Sequence, residues 1–402
     1  MALNIMASAA VEPLRWLNQG LAAVSGRRAV YRSLHRQPTV QPPAVIAIGK
    51  AAEAMLWGAL DALAERALAP AALFGVSKYG HWRQQAEIER HCPSAILLEA
   101  AHPVPDGASL GAGEQLRRWC ARQPADRPVW VLISGGASAL VEAPVSGVTL
   151  AHLQRLNAWL LRSGWDIARM NAVRAAFSRL KGGGLAALLA PRPITGLMLS
   201  DVPADRIEWI GSGLLHSLSP PPPEDVAALP EPFCHLPVNV SVPVSPPACR
   251  IVASNALARQ AVVRASGGQL QDGGALYGDV ACLAARIEQA VPGQIFGGEA
   301  TVQLPSHAPP GGRNQHLALL LAKAIAGTSH WFAALGTDGT DGTTDVAGAW
   351  VDGQTWMRAQ QLGLDPDGAL RTFDSHRVLQ ALGQTIHTGP TGTNVMDLML
   401  WL

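Results

Sequence analysis

Three aspartates interspersed with glycines form the stretch of this chain whose residue types best suit a ligand or a reaction. Asp338, Asp341 and Asp345 lie within the segment 334–348, directly after the apolar run 331–335. Glycine allows the backbone to approach a ligand closely, and neighbouring carboxylates repel unless a cation, a proton or hydrogen-bond donors stabilise them. A ligand site and a solvated Asp/Gly turn therefore both stay open for this segment.

Two further segments bring donors or positive charge to the end of an apolar run. Residues 134–138 read Ser-Gly-Gly-Ala-Ser and follow the run 129–133, whereas Lys50 follows the run 45–49. In an α/β sheet the carboxyl ends of parallel strands form the ligand-binding edge, where backbone N–H groups bind phosphate. The alternatives are a turn with glycines for steric reasons and an exposed lysine. Neither GxxxxGK[ST] nor GxGxxG occurs.

Basic and acidic residues in the middle of the chain each allow more than one interpretation. Arg174, Arg179 and Lys181 precede three glycines at 182–184. They form either a phosphate-binding face or an amphipathic helix that ends at glycine, and the residues favour the helix. Asp201 ends the apolar run 194–199, where a metal ligand, a base and a helix cap are all open.

The second half of the chain holds three more turns that are donor-rich or acidic. Residues 297–299 read Gly-Gly-Glu, residues 311–315 read Gly-Gly-Arg-Asn-Gln, and residues 388–394 read Thr-Gly-Pro-Thr-Gly-Thr-Asn. Arg313 beside a helix start offers a planar donor fork together with unpaired backbone N–H groups, which suits a carboxylate or a phosphate. So many such turns at the boundaries of predicted elements favour an anionic ligand.

Composition limits the class of protein. The chain has 402 residues, a net charge of +1 and 48% hydrophobic residues, which predicts two domains and argues against nucleic acid as a partner. Five scattered cysteines without zinc-like spacing predict reduced thiols. Residues 1–10 lack the pattern of a signal peptide, and no apolar run reaches the roughly 18 residues of a membrane span. We therefore expect a soluble, cytoplasmic protein.

The order of apolar and amphipathic segments predicts two α/β units. Expected strands are 45–49, 71–77, 95–100, 129–133 and 194–199, and expected helices are 51–68, 110–122, 150–162 and 172–189. Continuous apolar runs alternating with helices are typical of a parallel sheet covered on both faces. A proline-rich stretch, 220–247, predicts a semi-rigid connection. Beyond it, a helix at 312–326 and strands at 250–254, 294–304, 330–335, 347–351, 386–388 and 398–402 complete the second unit.

Taken together, these segments resemble the class II glycerate 2-kinase family, whose members carry a C-terminal MOFRL domain and are sometimes named hydroxypyruvate reductases. The matching segments run in family order along nearly the whole chain: 49–52, 78–81, 101–106, 132–140, 178–184, 199–203, 297–301, 311–315, 334–348 and 388–394. The resemblance implies a Rossmann-like parallel three-layer domain over 1–235 and a MOFRL-type α/β domain with a mixed sheet over 236–402. It also implies an active site in the cleft between the two domains.

The resemblance further implies a reaction and the residues that perform it. The family transfers the γ-phosphoryl group of ATP to the 2-hydroxyl of D-glycerate, which gives 2-phosphoglycerate and ADP. Lys50 and Arg313 match its catalytic residues, and Mg²⁺ would bridge the ATP phosphates with Asp201, Asp338 and Asp341 as candidate ligands. The implied cofactor-binding residues are Ser134, Gly135, Gly136, Ser138, Lys181, Gly182, Gly183, Asn255, Thr391 and Asn394. The implied partner is a small hydroxyacid, with neither nucleic acid nor membrane, and a homodimer stays open.

The chain departs from the family pattern in two segments. Ala137 stands where the serine–glycine turn usually has a third glycine, and after Gly213 the chain reads Leu-Leu-His-Ser-Leu-Ser followed by four prolines. Contacts to a ligand from these segments therefore differ from those of the family. A reductase that uses NAD(P)H and a non-catalytic, anion-binding relative are the alternatives.

Overall fold

The chain forms two compact units. The computed structural model describes residues 11–39, 41–236, 238–239, 247–305 and 307–402. One unit, here called the parallel unit, is Gly26–Val252. The other, here called the mixed unit, combines Ala253–Leu402 with the chain before Gly26, which contains helix α1 (Val11–Ala23). These units differ from the expected ranges 1–235 and 236–402 at the first helix and along the connection.

The parallel unit is built on a six-stranded sheet with the order β3-β2-β1-β4-β5-β6. Its strands are β1 (Ala44–Ile48), β2 (Ala72–Lys78), β3 (Ile96–Ala100), β4 (Val129–Ile133), β5 (Ile194–Leu199) and β6 (Ala248–Ala253). The pairs among β1 to β5 are parallel. Every residue of β1 and β4 is buried, as the continuous apolar runs predicted. This strand order is that of the Rossmann fold, whose switch point lies between β1 and β4.

Helices cover both faces of this sheet. They are α2 (Gly26–Leu34), α3 (Ala52–Ala64), α4 (Gln85–His91), α5 (Gly107–Arg122), α6 (Ala137–Leu140), α7 (Leu150–Arg162), α8 (Ile167–Ala176), α9 (Gly184–Leu189) and α10 (Pro223–Ala227). Ile46 and Ile48 share a core with Leu116 and Trp119 of α5 and with α9. Helix α3 packs on β1, β2 and β4 outside that core. The three-layer arrangement expected for the first domain is therefore confirmed.

The prediction of a single helix over 172–189 is wrong. Helix α8 ends at Ala176 and α9 begins at Gly184, and between them Ser178 forms an isolated bridge with Pro144. Gly182 and Gly183 have φ values of 58° and 89°, which a continuous right-handed helix cannot contain. Helix α8 thus ends before the glycines, whose positive φ values separate it from α9.

The proline-rich stretch also contains more structure than a plain connection. Helix α10 begins at Pro223, because proline lacks only an N–H group that the first helical turn leaves unpaired. A short 3₁₀ helix follows at Phe233–His235. Residues 237 and 240–246 of the predicted connection, like residues 1–10, lie outside the described part of the chain.

The mixed unit has a second six-stranded sheet with the order β11-β10-β9-β12-β8-β7. Its strands are β7 (Gln271–Asp279), β8 (Gln294–Thr301), β9 (Trp331–Gly336), β10 (Gly348–Asp352), β11 (Thr385–Ile386) and β12 (Asp397–Trp401). The pair β7–β8 is parallel, and the other pairs are antiparallel. The expected mixed sheet is therefore confirmed.

The described residues of the mixed unit form six further helices. They are α11 (Asn255–Ala265), α12 (Val280–Glu288), α13 (Arg313–Ala324), α14 (Thr355–Gln361), α15 (Pro366–Thr372) and α16 (Ser375–Ala381). Helix α13 buries Leu317 and Leu321 against apolar residues of the sheet such as Phe332 and Met399. This core holds the N-terminus of α13, and thus Arg313, in a defined position.

Helix α1 joins the mixed unit because it packs on α11. A Cβ atom at Gly20 would lie 2.6 Å from Cγ2 of Val262, so only glycine permits the observed approach of the two helices. The contact links residues far apart in the sequence.

Among the described residues, no helix combines the length and the apolar character that a membrane crossing requires.

Candidate functional site

The turns that follow β1 and β4 contact each other at the switch point of the parallel sheet. The backbone N–H of Lys50 donates to the carbonyl oxygen of Gly135 at 2.9 Å, and the N–H of Ala51 donates to Oγ of Ser134 at 3.0 Å. Gly49 has a φ of 130°, and a Cβ atom there would lie 2.2 Å from Oγ of Ser134. Lys50, Ser134 and Gly135, which the sequence singled out separately, therefore form one structure.

The Lys50 side chain lies next to the glycine of this turn. A Cβ atom at Gly136 would lie 3.4 Å from Cγ of Lys50 and 2.9 Å from Cδ2 of His102. The carbonyl oxygen of Lys50 is hydrogen-bonded to Nδ1 of His81 at 3.0 Å. Both histidines were missed as individual candidates, although the family-like segments 78–81 and 101–106 contain them. The edge of the sheet therefore combines an ammonium group with two imidazoles.

Ser138 is partly buried and is linked to two buried polar groups, Ser212 and Asn171. Its Oγ is 2.8 Å from Oγ of Ser212, which donates to Oδ1 of Asn171 at 3.0 Å. Ser212 has a positive φ of 56°, an uncommon conformation that often marks functional segments. Asp201 follows β5, the neighbour of β4, and lies partly exposed at the same edge. Ser138 directly follows the turn after β4, and Asp201 follows the strand beside β4 in the same sheet.

Lys181, Gly182 and Gly183 are engaged within the parallel unit. The ammonium of Lys181 pairs with the carboxylate of Glu142, and each side chain is 3% exposed. Burial lowers the pKa of Lys181, and the Glu142 carboxylate opposes that shift. The N–H groups of Gly182 and Gly183 donate to the carbonyl oxygens of Ser212 and Gly213 at 3.2 and 2.7 Å. These groups hold the chain after α8 in place, and their predicted role toward a nucleotide stays a prediction.

Arg313 begins α13 and is held between two carboxylates. Its Nε and Nη2 donate to Oδ2 and Oδ1 of Asp397 at 2.7 and 3.0 Å, and its Nη1 donates to Glu299. Asp397 is 1% exposed, whereas Glu299 is 41% exposed. Burial acts against the charge of Arg313, but the two carboxylates outweigh it and raise the pKa of the guanidinium. Arg313 therefore remains cationic and keeps a defined orientation.

Asp341 caps the N-terminus of α13. Its carboxylate accepts hydrogen bonds from the backbone N–H groups of Asn314 and Gln315 at 3.1 and 2.9 Å, and from both side-chain amides at 3.3 and 3.0 Å. A Cβ atom at Gly312 would lie 2.1 Å from the carboxyl carbon of Asp341. Burial raises the pKa of Asp341 to about 6, and the N–H donors act in the opposite direction. The segment with three aspartates thus supports the helix that carries Arg313.

Asp338 and Thr391 connect the aspartate segment with the turn at 388–394. Oδ1 of Asp338 accepts from the N–H and the hydroxyl of Thr340, both at 3.1 Å. The hydroxyl of Thr391 donates to the carbonyl oxygen of Thr337 at 2.5 Å. Gly339 has a φ of 90°, and its Cα is packed against Gly389. Asp345, the third aspartate, is exposed.

Asn255 orients the segment that carries Asp397. Its Nδ2 donates to the carbonyl oxygens of Val395 and Asp397 at 2.8 and 2.9 Å, and its Oδ1 accepts from Arg259 at 2.5 Å. Asn394 is 8% exposed and directly precedes this segment. Asn255 therefore helps to hold the backbone of Asp397, the partner of Arg313, in position. Its predicted contact with a cofactor stays a prediction.

Comparison with known proteins identifies the family. A model described as a domain of unknown function (DUF4147) matches residues 12–229, and the MOFRL family model matches residues 293–397. D-glycerate 2-kinase of Thermotoga maritima is 32% identical over 96% of this chain and 96% of that protein. This chain belongs to the glycerate 2-kinase family. The resemblance expected from the sequence is thereby confirmed.

Other members show the same fold and a second name in use. The crystal structure of glycerate kinase from Thermotoga maritima has a TM-score of 0.81 at 29% identity and covers 98% of this chain and 99% of its own. A protein of Agrobacterium vitis that carries the name of a hydroxypyruvate reductase is 34% identical over 96% of this chain and 92% of its own. The glycerate 2-kinase family thus spans the whole length of both units.

Sequence reasoning missed the partners of the arginine in this family member. Glu299 was named only as part of a Gly-Gly-Glu turn, and Asp397, three residues beyond the turn at 388–394, was given no role. Both belong to strands of the mixed sheet, where Asp397 of β12 lies opposite Gly298 of β8. The available signal was the Gly-Gly-Glu pattern itself, because two glycines beside a carboxylate permit close packing around it.

Proposed function

We propose that this chain is an ATP-dependent kinase that transfers the γ-phosphoryl group of ATP to the 2-hydroxyl of D-glycerate, giving 2-phosphoglycerate and ADP. The observation that carries the proposal is the joined pair of turns after β1 and β4, with Lys50 beside Gly136. Parallel sheets of this strand order bind phosphorylated ligands at that point. Phosphoryl transfer needs mainly positioned positive charge and backbone donors, which this edge supplies.

The chemistry assigns distinct tasks to the charged groups. In the reaction the glycerate hydroxyl oxygen attacks the γ-phosphorus, the bond to the ADP oxygen breaks, and the hydroxyl proton is released. Lys50 would neutralise charge on the equatorial phosphoryl oxygens, and Arg313 would do the same with a planar fork of donors. Asp397 keeps Arg313 oriented, so less conformational entropy is lost when a ligand binds.

The carboxylates differ in how well they fit Mg²⁺. The ion prefers a few carboxylate oxygens, keeps several waters and would neutralise charge on the ATP phosphates. Asp341 is an unsuitable ligand because N–H donors of α13 occupy both of its oxygens. Asp338 is half-buried and is held at Oδ1 by the donors of Thr340, and Asp201 is partly exposed after β5. We propose Asp338 in the mixed unit and Asp201 in the parallel unit as the candidate carboxylates for a Mg²⁺ ligand.

A coupled assay with a regiochemical readout tests the proposal. Enolase converts 2-phosphoglycerate but not 3-phosphoglycerate, so ADP release is followed together with enolase-dependent product, with and without Mg²⁺. Lys50→Ala and Arg313→Ala should each lower kcat/KM by about a hundredfold or more. Lys323→Ala, which removes an exposed ion pair on α13, serves as the matched control and should retain the wild-type rate.

Two outcomes would reject the proposal. Full turnover in both the Lys50 and the Arg313 variant would show that these residues do not act as proposed. Oxidation of NADH or NADPH by hydroxypyruvate, without glycerate-dependent ADP release, would favour the reductase instead.

The family's use of ATP, and the reduced state of the five cysteines, fit a cytoplasmic enzyme, which we include in the proposal.

A further inference from the structure

A pocket of about 410 Å³ opens in the mixed unit beside Arg313. Arg313 and Glu299 contribute its charged part, and Val302, Leu304 and Phe373 contribute apolar walls. Pockets that bind organic ligands typically have this size and this combination of apolar walls with a few polar groups. All residues that line the pocket belong to the mixed unit. The pocket is therefore a property of that unit alone.

Phe373 has an unusual backbone conformation at the wall of this pocket. It ends α15 with φ and ψ values of 59° and 28°, the left-handed region in which glycine normally occupies this position. A bulky side chain there is disfavoured, and such outliers cluster at ligand sites. Its ring stacks on His316, with centroids 5.0 Å apart and planes 28° apart. The strained backbone thus presents an aromatic side chain whose packing is already ordered.

His316 supports the same wall from within the unit. Its Nδ1 is hydrogen-bonded to Oγ of Ser375 at 3.0 Å, and the residue is 8% exposed. Burial lowers the pKa of this histidine, so the imidazole is neutral near pH 7. A neutral, oriented imidazole stacked on a phenyl ring extends the apolar and aromatic wall without adding charge.

Leu304 forms another part of the wall and is unusually exposed. Its side chain is 61% exposed, although it lies in a pocket with other apolar residues. Exposed apolar side chains that line a concave surface are more informative than single exposed residues elsewhere. A ligand with an apolar face would cover Leu304 and gain the corresponding hydrophobic stabilisation.

The two substrates of the proposed reaction differ in their fit to this pocket. Glycerate is a three-carbon acid whose groups are almost all polar, so neither the size of the pocket nor its apolar walls suit it. A purine nucleoside is larger and planar, and it stacks well on aromatic and aliphatic side chains. We propose that this pocket binds the purine nucleoside part of the phosphoryl donor, with Leu304 and Phe373 as its apolar contacts. The proposal rests on the proposed kinase function.

A substitution at Leu304 tests the pocket with little risk to folding. Leu304→Ser removes apolar contact from a side chain that is mostly in solvent. Leu362→Ser is the matched control, because Leu362 is 62% exposed, belongs to the same unit and does not line the pocket. Calorimetric titration of each full-length protein with ADP, without glycerate, should show about fivefold weaker binding for Leu304→Ser and wild-type affinity for Leu362→Ser.

A second variant separates binding from stability. Phe373→Gly removes the ring but suits the left-handed backbone, so its thermal midpoint should stay close to that of the wild type while ADP binding weakens by about tenfold. In the turnover assay, both pocket variants should raise KM for ATP more than KM for glycerate. Adenosine, which lacks phosphates, should inhibit competitively against ATP and lose potency in both variants.

The possible results distinguish this proposal from the kinase function. Glycerate-dependent turnover combined with unchanged ADP affinity in both variants would overturn the pocket assignment and leave the kinase standing. ADP binding that the variants weaken, without turnover of glycerate, would support the pocket and reject the kinase. Absence of ADP binding by the wild type, or an effect on KM for glycerate alone, would overturn the pocket assignment.

Discussion

The two carboxylates paired with Arg313, those of Asp397 and Glu299, should contribute very unequally to the local stability of helix α13 and strand β12. Asp397→Asn changes the buried partner and Glu299→Gln changes the exposed one, and each replacement keeps the shape of the side chain. Asp397 is 1% exposed and bonds two nitrogens of the guanidinium, whereas Glu299 is 41% exposed and bonds one. Because both variants act on the same arginine, each is the control for the other.

The expected magnitude follows from the hydrogen bonds that each variant loses. The amide introduced by Asp397→Asn would accept one of the two bonds at 2.7 and 3.0 Å and turn its NH₂ group toward the other nitrogen. A hydrogen bond to a charged group contributes about 1.5–3 kcal/mol. The Arg313 side chain is 34% exposed, so water replaces part of the loss, and we expect a net cost of about 2–3 kcal/mol. Glu299→Gln should cost about 0–1 kcal/mol, as expected for an exposed ion pair.

Hydrogen exchange of the amides in α13 and β12 measures this difference locally. A chain with two units need not unfold in a single transition, so a local readout is preferable to one melting temperature. The Asp397→Asn variant should lower protection in α13 by about 30- to 150-fold, which corresponds to 2–3 kcal/mol. Glu299→Gln should lower it by less than about fivefold. Equal losses in the two variants, or a larger loss in Glu299→Gln, would refute the reasoning from burial.

Two further predictions concern the aspartate segment. Gly339→Ala should destabilise the mixed unit by about 3–4 kcal/mol, because its Cβ would lie 2.0 Å from the carbonyl oxygen of Gly389. Gly327→Ala, at a φ of 80° with no atom within 4 Å, should cost only about 1–2 kcal/mol, and equal denaturation midpoints would contradict the steric argument. The second prediction concerns Asp341, whose pKa is raised from 3.8 to about 6. The folded state holds this proton more tightly than the unfolded state, so the stabilisation is full below pH 4 and is lost as pH rises through 6. Relative to Asp341→Asn, wild-type stability should fall by about 2 kcal/mol from pH 4 to pH 7. A rise over that range in denaturation experiments would show that the N–H donors outweigh burial.

Most of the strands could be predicted from the sequence because their signal is local. Strand β7 was not predicted, and the strand expected at 250–254 in the second unit is β6 at the edge of the parallel sheet. The runs at β1, β4 and β5 are apolar, bounded by glycine or proline, and of strand length, and β4 and β5 were predicted with the observed bounds. The joined turns after β1 and β4 were also predictable in outline, since parallel strands place their carboxyl ends at one edge. The chemistry of Lys50 and of Ser134 followed from that rule without knowledge of the contact between them.

The remaining features depend on contacts between distant residues. Helix α1 belongs to the mixed unit because Gly20 fits against Val262, and no local pattern reports such a pairing. The prediction of one helix over 172–189 was wrong because α8 ends at Ala176, after which backbone bonds to Ala143 and Val145 replace the helical ones. The role of Asp341 was similarly hidden, since an aspartate after a strand reads as a ligand until the helix it caps is known.

The ion pairs of Arg313 explain why Asp341 is better understood as a support for helix α13 than as a metal ligand. One guanidinium is paired with two carboxylates, so Arg313, Glu299 and Asp397 together carry more negative than positive charge. The net negative charge of these three side chains repels an approaching phosphate. A phosphate would bind the guanidinium at full strength only if a cation accompanied it or if Glu299 moved aside. Glu299 is the more exposed of the two, at 41% against 1%, and it bonds one nitrogen of the guanidinium, whereas Asp397 bonds two. A fixed carboxylate would thus orient the arginine, and an exchangeable one would leave its outer face to the ligand. This division of roles requires α13 to stay in place. Asp341 holds the helix by accepting hydrogen bonds from the N–H groups at the N-terminus of α13.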